Sequence, residues 1–185
     1  MIEAELKAAL ADPDTVRALL TATAGEPERA QYADVYLDRA GELAADGREL
    51  RVRTITTVAG SRTLLTYKGR VVDEASASKP EAETELADRA AILAVLDGLG
   101  YGPVIAFTKQ CENYRLSTPA GRPVLATVVT VPEIEGTFLE VETMVNEPDV
   151  PAALDDLRAV LLDLEIGPDA LTTELYTDAV AAARH

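Results

Sequence analysis

The sequence predicts an α+β protein built on a closed antiparallel β-barrel of about eight strands, with helices packed outside the barrel. Many short segments alternate charged or polar residues with apolar ones, as strands with two different faces do. Several of these segments carry like charges two residues apart, which folding alone does not require and which indicates a shared charged surface. Longer amphipathic segments can cover the apolar outer faces of such a barrel.

The strand-like segments are short, alternating or rich in β-branched residues. They are Met1–Ala8, Gln31–Asp38, Arg48–Thr57, Thr63–Gly69, Glu81–Glu85, Val104–Leu116, Val124–Val131 and Gly136–Glu142. The segment Val104–Leu116 reads either as a strand pair or as one long bent strand. Gly60–Ser61 predicts a hairpin turn between the third and fourth strands.

Four segments are predicted as helices. Asp12 can cap a helix that starts at Pro13 and ends near Ala24–Gly25. The other helices are predicted from Asp88 to Gly98, from Val150 to Leu164 and from Asp169 to Ala183. Gly41–Gly47 and Val71–Ser78 are predicted as loops.

Composition limits the classes of function. The 185 residues predict a single domain over residues 1–185, and a net charge of −15 argues against nucleic acid and anionic membranes as partners. No apolar run is long enough for a transmembrane helix, and no signal peptide is readable. The single cysteine, Cys111, cannot form an internal disulfide. We therefore expect a cytoplasmic protein, and a homodimer stays open.

The charged strand faces point to a chemistry. Carboxylates alternate in the first, fifth and last strands, and arginines alternate in the third strand at Arg51 and Arg53. Clustered carboxylates can hold a hard divalent cation, and arginine suits multidentate contact with phosphate. The same pattern also fits an acidic domain whose charges are solvated.

The order of the motifs resembles that of the CYTH proteins, also called triphosphate tunnel metalloenzymes. The matching segments are Glu3-x-Glu5-x-Lys7, Gln31-x-x-Asp34-x-Tyr36-Leu37-Asp38, Leu50-Arg51-Val52-Arg53, Leu65-Thr66-Tyr67-Lys68-Gly69, Ser78-Lys79-Pro80-Glu81-x-Glu83, and Gly136-x-Phe138-x-Glu140-x-Glu142. Thr173-Glu174-Leu175-Tyr176 is similar to the terminal segment of the family. The resemblance spans almost the whole chain and implies a barrel with a charged tunnel.

The resemblance also implies roles for individual residues. Acidic residues would hold Mg²⁺ or Mn²⁺ or line the lumen; they are Glu3, Glu5, Glu140 and Glu142, with Glu81 and Glu83. Basic residues would bind a polyphosphate; they are Lys7, Arg51, Arg53, Lys68, Lys79 and Lys109, with Arg115 as an addition. Lys7, Arg51, Arg53 and Lys68 would carry the catalysis. The substrate would be a nucleoside or other organic triphosphate.

The sequence departs from the family pattern at four positions. Leu37 stands where the family has phenylalanine, Lys79 and Cys111 stand where it usually has arginine, and Thr130 stands where it often has aspartate. The resemblance implies a class IV adenylyl cyclase, which converts ATP to cyclic AMP and pyrophosphate. Two alternatives stay open: a triphosphatase acting on thiamine triphosphate or inorganic triphosphate, and a diverted protein that binds or converts another phosphorylated ligand.

Overall fold

The computed structural model describes residues 1–73, 76 and 78–185. The described strands are β1 (Ile2–Ala9), β2 (Glu28–Asp38), β3 (Glu49–Thr57), β4 (Gly60–Lys68), β5 (Lys79–Leu86), β6 (Gly102–Ser117), β7 (Pro123–Thr130) and β8 (Phe138–Val145). The described α-helices are α1 (Pro13–Ala24), α2 (Glu42–Ala45), α3 (Arg89–Gly98), α4 (Val150–Asp163) and α5 (Tyr176–Ala183).

The strands form a closed antiparallel barrel in the order β1-β5-β4-β3-β2-β6-β7-β8. β1 closes the barrel by pairing with β8 along Ile2–Ala9 and with β5 at Ile2 and Glu3. The predicted fold class, a closed antiparallel barrel with helices outside, is therefore confirmed. The segment between Val104 and Leu116 is one long strand, β6.

The hydrophobic core lies mostly outside the barrel wall. The outward faces of β1, β7 and β8 pack against α1 and α4, and Leu6, Leu139, Leu20 and Leu157 are buried there. A separate cluster under α3 joins Leu96 to β2 and β3. Because the outer faces are apolar and covered by helices, the alternating polar side chains are left to face the lumen.

Helix starts follow local capping chemistry. The Asp12 carboxylate accepts hydrogen bonds from the Thr15 backbone N–H at 3.2 Å and the Thr15 hydroxyl at 2.7 Å. Asp88 caps α3 in the same way, accepting from the Ala91 N–H at 2.9 Å. These side chains satisfy backbone donors that a helix leaves unpaired in its first turn.

The predicted final helix from Asp169 is wrong over its first half, because α5 begins at Tyr176. The preceding segment runs along β1, where the Thr172 N–H donates to the Lys7 carbonyl at 2.9 Å. Pairing with β1 satisfies this backbone, and the β-branched Thr172 and Thr173 have low helix propensity. The chain therefore reaches the barrel mouth before the helix begins.

The structure describes one of the two predicted loops in full and the other in part. The predicted loop Gly41–Gly47 contains the short helix α2, whose backbone N–H groups at Leu43 and Ala44 donate to the Asp38 carboxylate. Of the predicted loop Val71–Ser78, residues 74, 75 and 77 lie outside the described residues.

No helix among the described residues has both the length and the apolarity needed to cross a bilayer.

Candidate functional site

The barrel encloses a charged lumen with a cavity of about 220 Å³. The acidic side chains that line the cavity are Glu3, Glu5, Glu49, Glu81, Glu83, Glu140 and Glu142. The basic side chains that line it are Lys7, Arg51, Arg53, Arg62, Lys68, Lys79 and Lys109. All the acidic and basic residues that the sequence placed in a candidate site therefore face one cavity, with the exception of Arg115.

Three carboxylates converge on one wall of the lumen. Oxygen atoms of Glu3, Glu5 and Glu142 lie within 4.8 Å of one another. The register between β1 and β8 sets Glu5 directly opposite Glu142, and Glu3 is on the same face of β1. We refer to these three residues as the carboxylate cluster.

The carboxylate cluster is an unfavourable arrangement for three negative charges. Burial raises the pKa of Glu5 to about 7, and the charges of Glu3 and Glu140 add to the effect against the opposing charge of Lys68. Burial and the neighbouring Glu3 and Glu5 also raise the pKa of Glu142 well above its usual range. Oxygen-only donors with unbalanced negative charge fit a hard divalent cation such as Mg²⁺ or Mn²⁺.

Lys68 supplies positive charge beside the carboxylate cluster. Its ammonium group forms an ion pair with Glu3 and lies 3.8 Å from Glu5 and 3.4 Å from Glu81. Burial lowers the pKa of Lys68, but these carboxylates outweigh it and raise the pKa overall. Lys68 therefore stays positively charged beside the carboxylate cluster.

Arg51 is a buried lumen cation with no ion-pair partner among the described residues, a lack that it shares with Lys7 and Arg62. The other lumen cations, Arg53, Lys68, Lys79 and Lys109, each pair with a carboxylate. The Arg51 side chain donates a long hydrogen bond of 3.4 Å to the Thr66 hydroxyl, and its buried Nε has no acceptor in the described part of the chain. The residue is only 8% exposed. A buried guanidinium without a carboxylate is costly and is set up to receive an anion.

Arg53 is held much more firmly than Arg51. Its Nε and Nη2 each donate a 2.7 Å hydrogen bond to Asp34, whose side chain is completely buried. Its guanidinium also lies 4.6 Å from the ring centroid of Tyr32. Burial opposes ionisation of Asp34, but Arg53 outweighs it and lowers the pKa of that carboxyl. Arg51 is therefore more available than Arg53 to bind an anionic ligand.

A third group of charges gathers around Tyr176. Lys7 and Lys109 lie 4.5 and 4.0 Å from the centroid of its ring, and Lys109 pairs with Glu140 at 3.3 Å. The Lys7 ammonium group also donates to the backbone carbonyl of Glu174. Side chains of the segment from Thr172 to Thr177 thus line the cavity. The helix predicted from Asp169 gave no indication of this position.

The other predicted site residues are placed as follows. Lys79 pairs with Glu49, and Glu83 accepts a 2.8 Å hydrogen bond from the Thr66 hydroxyl. Arg115 lies outside the main cavity, with a side chain that is 78% exposed and 3.9 Å from Glu28. Glu140 and Glu81 line the cavity outside the carboxylate cluster.

Cys111 and Thr130, which stand at positions that are usually charged in the family, lie in different places. Cys111 is buried in the lumen among Phe107 and Val129, and burial raises the pKa of its thiol to about 12. It leaves an apolar patch where the family often has a cation. Thr130 pairs with Gln110 and lines an outer groove rather than the lumen. Its lack of charge therefore does not alter the charge of the tunnel.

Fold and site together define a class: a closed antiparallel barrel whose lumen combines a metal-type carboxylate cluster with basic side chains suited to phosphate. The family model described as the CYTH domain matches residues 1–176, and the chain belongs to this family. Its barrel is the triphosphate tunnel fold, in a family that is metal-dependent and generally enzymatic, as adenylyl cyclases or triphosphatases. No functionally curated protein sequence matches the chain significantly.

Solved structures share the whole architecture. Protein PH1819 from Pyrococcus horikoshii OT3 is 25% identical, with a TM-score of 0.84 and coverage of 99% of both chains. A putative adenylate cyclase from Vibrio parahaemolyticus is 17% identical, with a TM-score of 0.82 and coverage of 98% of both chains.

A third structure is the putative adenylyl cyclase HpAC1 from Hippeastrum, which is described as having a dominant triphosphatase activity. It is 17% identical, with a TM-score of 0.65 and coverage of 98% of this chain and 95% of that one. At these identities, the Vibrio and Hippeastrum structures establish likeness of fold.

Proposed function

We propose that this protein is a metal-dependent enzyme that binds a triphosphate in its tunnel, with conversion of ATP to cyclic AMP and pyrophosphate as the favoured reaction. The observation that carries the proposal is the pairing of two features across one lumen. The carboxylate cluster of Glu3, Glu5 and Glu142 has an excess of negative charge, and Arg51 is a buried cation with no carboxylate partner in the part of the chain that the structure describes. In a metal–triphosphate complex, the metal ion supplies positive charge to the carboxylate cluster and the triphosphate supplies negative charge to Arg51.

The chain's own residues bind and orient the substrate. Arg51 and Lys68 lie on the adjacent strands β3 and β4, and Lys7 and Lys109 lie on β1 and β6. Together they surround a polyphosphate with positive charge and stabilise the negative charge that develops on the leaving group. A divalent cation held by the carboxylate cluster would supply charge neutralisation and alignment of the phosphates.

In the cyclase reaction, the ribose 3′-oxygen forms a bond to the α-phosphorus and loses its proton, while the bond from that phosphorus to the bridging oxygen breaks. Pyrophosphate is the leaving group. No covalent bond to the protein is needed, so catalysis consists of positioning and charge stabilisation. Glu81 and Glu83 contribute to the shape and charge of the lumen or to a second ion.

Triphosphate hydrolysis is the second candidate. It is favoured by the Hippeastrum protein, which shares this fold, is named a cyclase and is described as having a dominant triphosphatase activity. In this reaction the oxygen of a water molecule, in place of the ribose hydroxyl, forms a bond to the terminal phosphorus. The bond from that phosphorus to the bridging oxygen breaks, so that orthophosphate is released and the diphosphate part of the substrate is the leaving group. The same cations would serve both reactions, so the placement of the organic group decides between them.

Product analysis tests the proposal. The protein is incubated with Mg²⁺ or Mn²⁺ and, separately, with ATP, thiamine triphosphate and inorganic triphosphate. The double variant Glu3→Gln, Glu5→Gln serves as the metal-site control, and Glu135→Gln serves as a matched exposed control. Cyclic AMP with pyrophosphate, lost in the double variant alone, supports the cyclase; orthophosphate release supports the triphosphatase.

Absence of product from all three substrates overturns the proposed enzyme. If metal and triphosphate still raise the melting temperature, the tunnel binds a phosphorylated ligand without converting it, because a ligand specific for the folded state stabilises by mass action.

A further inference from the structure

The ring of Tyr176 brings together two cations that belong to different strands. Tyr176 is the first residue of α5, and its side chain lines the cavity although the residue is only 7% exposed. The ammonium groups of Lys7 on β1 and Lys109 on β6 lie over this ring, 4.5 and 4.0 Å from its centroid. Both positive charges are therefore close to one aromatic ring, and hence close to each other.

Two ammonium groups at such a place repel each other, so other contacts must hold them there. The face of an aromatic ring is negative and attracts a cation within about 6 Å of its centroid. Lys109 also pairs with Glu140 at 3.3 Å, and Lys7 donates to the backbone carbonyl of Glu174. Because Lys7 forms no ion pair among the described residues, the Tyr176 ring and this carbonyl are the contacts that hold its ammonium group.

The segment that carries Tyr176 is fixed on both sides of the ring. Before it, the Thr172 N–H donates to the Lys7 carbonyl at 2.9 Å. After it, the Arg184 guanidinium donates to both carboxylate oxygens of Glu133 at 2.7 and 2.8 Å. The ring is therefore held in place before any ligand enters, and such preorganisation lowers the entropy cost of binding.

The ring, rather than the hydroxyl group, makes the contacts of Tyr176. The hydroxyl oxygen is buried and has no hydrogen-bond partner in the described part of the chain. The ring packs edge-to-face on Phe138, with centroids 5.4 Å apart, and belongs to the same apolar cluster as Val180. Phenylalanine at position 176 would preserve these contacts, whereas leucine would preserve apolar packing without a ring.

We infer that Tyr176 is a positioning residue, whose ring holds the ammonium groups of Lys7 and Lys109 together in the lumen, where they receive the oxygens of a phosphate chain. This inference rests on the proposed function for its ligand, a triphosphate. Without the ring, the two long side chains separate, and ordering them again costs binding free energy. Tyr176 thus acts on the ligand through the two lysines.

Calorimetric titration with inorganic triphosphate and Mg²⁺ tests the inference. Tyr176→Leu is expected to weaken binding by about tenfold, because two cation–π contacts are lost, and Tyr176→Phe to change it by less than about twofold. Val180→Ala, one turn further along α5 in the same apolar cluster, is the packing control. It should lower the melting temperature without changing the affinity.

A double-mutant cycle separates positioning from a general structural role. In the background of Lys7→Met or Lys109→Met, one of the two cation–π contacts is already absent. Tyr176→Leu should then weaken triphosphate binding by only about threefold. A residue with a merely structural role would cost the same factor in the wild type and in both lysine variants.

Nuclear magnetic resonance tests the ring contacts without any ligand. The chain has four lysines, and all four line the cavity; they are Lys7, Lys68, Lys79 and Lys109. Lysine-labelled protein therefore gives four sets of side-chain signals, which Lys7→Met and Lys109→Met assign. The ε-methylene signals of Lys7 and Lys109 should be shifted upfield, because the ring current shields nuclei over the ring. The shifts should persist in Tyr176→Phe and disappear in Tyr176→Leu.

The outcomes separate the inference from the proposed function. If Tyr176→Phe weakens binding as much as Tyr176→Leu, or if Tyr176→Leu costs the same factor in every background, the inference is overturned while triphosphate binding stands. If the wild type binds no triphosphate, the proposed function fails. Upfield shifts that disappear in Tyr176→Leu would then still support the ring as the group that holds both lysines, and absence of the shifts would overturn the inference as well.

Discussion

Replacement of Glu5 by glutamine should stabilise the metal-free protein at alkaline pH. The pKa of Glu5 is raised from 4.5 to about 7, chiefly by burial. Because the folded state binds this proton more tightly than the unfolded state, the stabilisation is full below about pH 4.5 and is lost as the pH rises through about 7. Glutamine carries no titrating proton, so the variant does not lose that stability.

The magnitude follows from the difference between the two pKa values. A shift of about 2.5 pH units corresponds to about 3 kcal/mol of unfolding free energy. In the presence of EDTA, the variant should therefore exceed the wild type by about 3 kcal/mol at pH 8, and by less than about 1 kcal/mol at pH 5. Urea unfolding at both pH values measures these differences.

Divalent metal should reverse the order. Mg²⁺ or Mn²⁺ at pH 8 should raise the stability of the wild type, because the ion neutralises the carboxylate cluster, and should raise that of Glu5→Gln much less. Glu135→Gln, at an exposed position, should be neutral in every condition. A Glu5→Gln variant that is less stable than wild type in EDTA at pH 8, or a difference that does not change with pH, would refute the reasoning.

Three further predictions concern the two arginines and the core. Arg51→Leu should weaken binding of metal and triphosphate by at least about tenfold in calorimetry, since a charge-assisted contact is lost, while unfolding free energy should not fall; a loss of stability with unchanged binding would contradict it. Asp34→Asn should cost about 3–5 kcal/mol in urea unfolding, because Arg53 is left buried with a neutral partner; a change below about 1 kcal/mol would contradict the ion-pair interpretation. Leu157→Ala should cost about 2–5 kcal/mol through a cavity between α4 and the barrel and leave triphosphate affinity unchanged, and a selective loss of affinity would show that the core is coupled to the site.

Alternation along the strands predicted most of the charged side chains that line the lumen. Glu3, Glu5, Arg51, Arg53 and Lys68 all line the cavity as the sequence indicated. A period of two is a local property, so it can be read from each strand separately. The same argument predicted a closed barrel, because every charged face needed a common interior.

Which of the lumen side chains meet could not be read from the sequence. Glu140 and Glu142 are equivalent by alternation, yet the register between β1 and β8 places Glu142 beside Glu5 and Glu140 opposite Lys7. Register depends on contacts between distant segments. For the same reason, the sequence did not show that Asp34 would form an ion pair with Arg53, or that Arg51 would have no carboxylate partner among the described residues.

The errors have physical causes of the same kind. The segment from Asp169 to Ala183 was predicted as one helix, but the Thr172 N–H donates to the Lys7 carbonyl of β1, and this pairing holds the first part of the segment extended. Arg115 has the alternation of a lumen residue, yet it lies at the end of β6, where the side chain reaches solvent. Position along a strand, as well as its face, decides whether a residue joins the site.

The unequal closure of the barrel determines where it should open first. β1 pairs with β8 along Ile2–Ala9, whereas the described register with β5 covers Ile2 and Glu3. Local fluctuations should therefore separate β1 from β5 well before the barrel unfolds, and the amides along this boundary should exchange with solvent fastest among the strands. Since Lys68 on β4 contacts Glu3 on β1 and Glu81 on β5, charge in the lumen also ties this boundary together. Binding of metal and triphosphate in the tunnel should then be visible as slower amide exchange along this boundary.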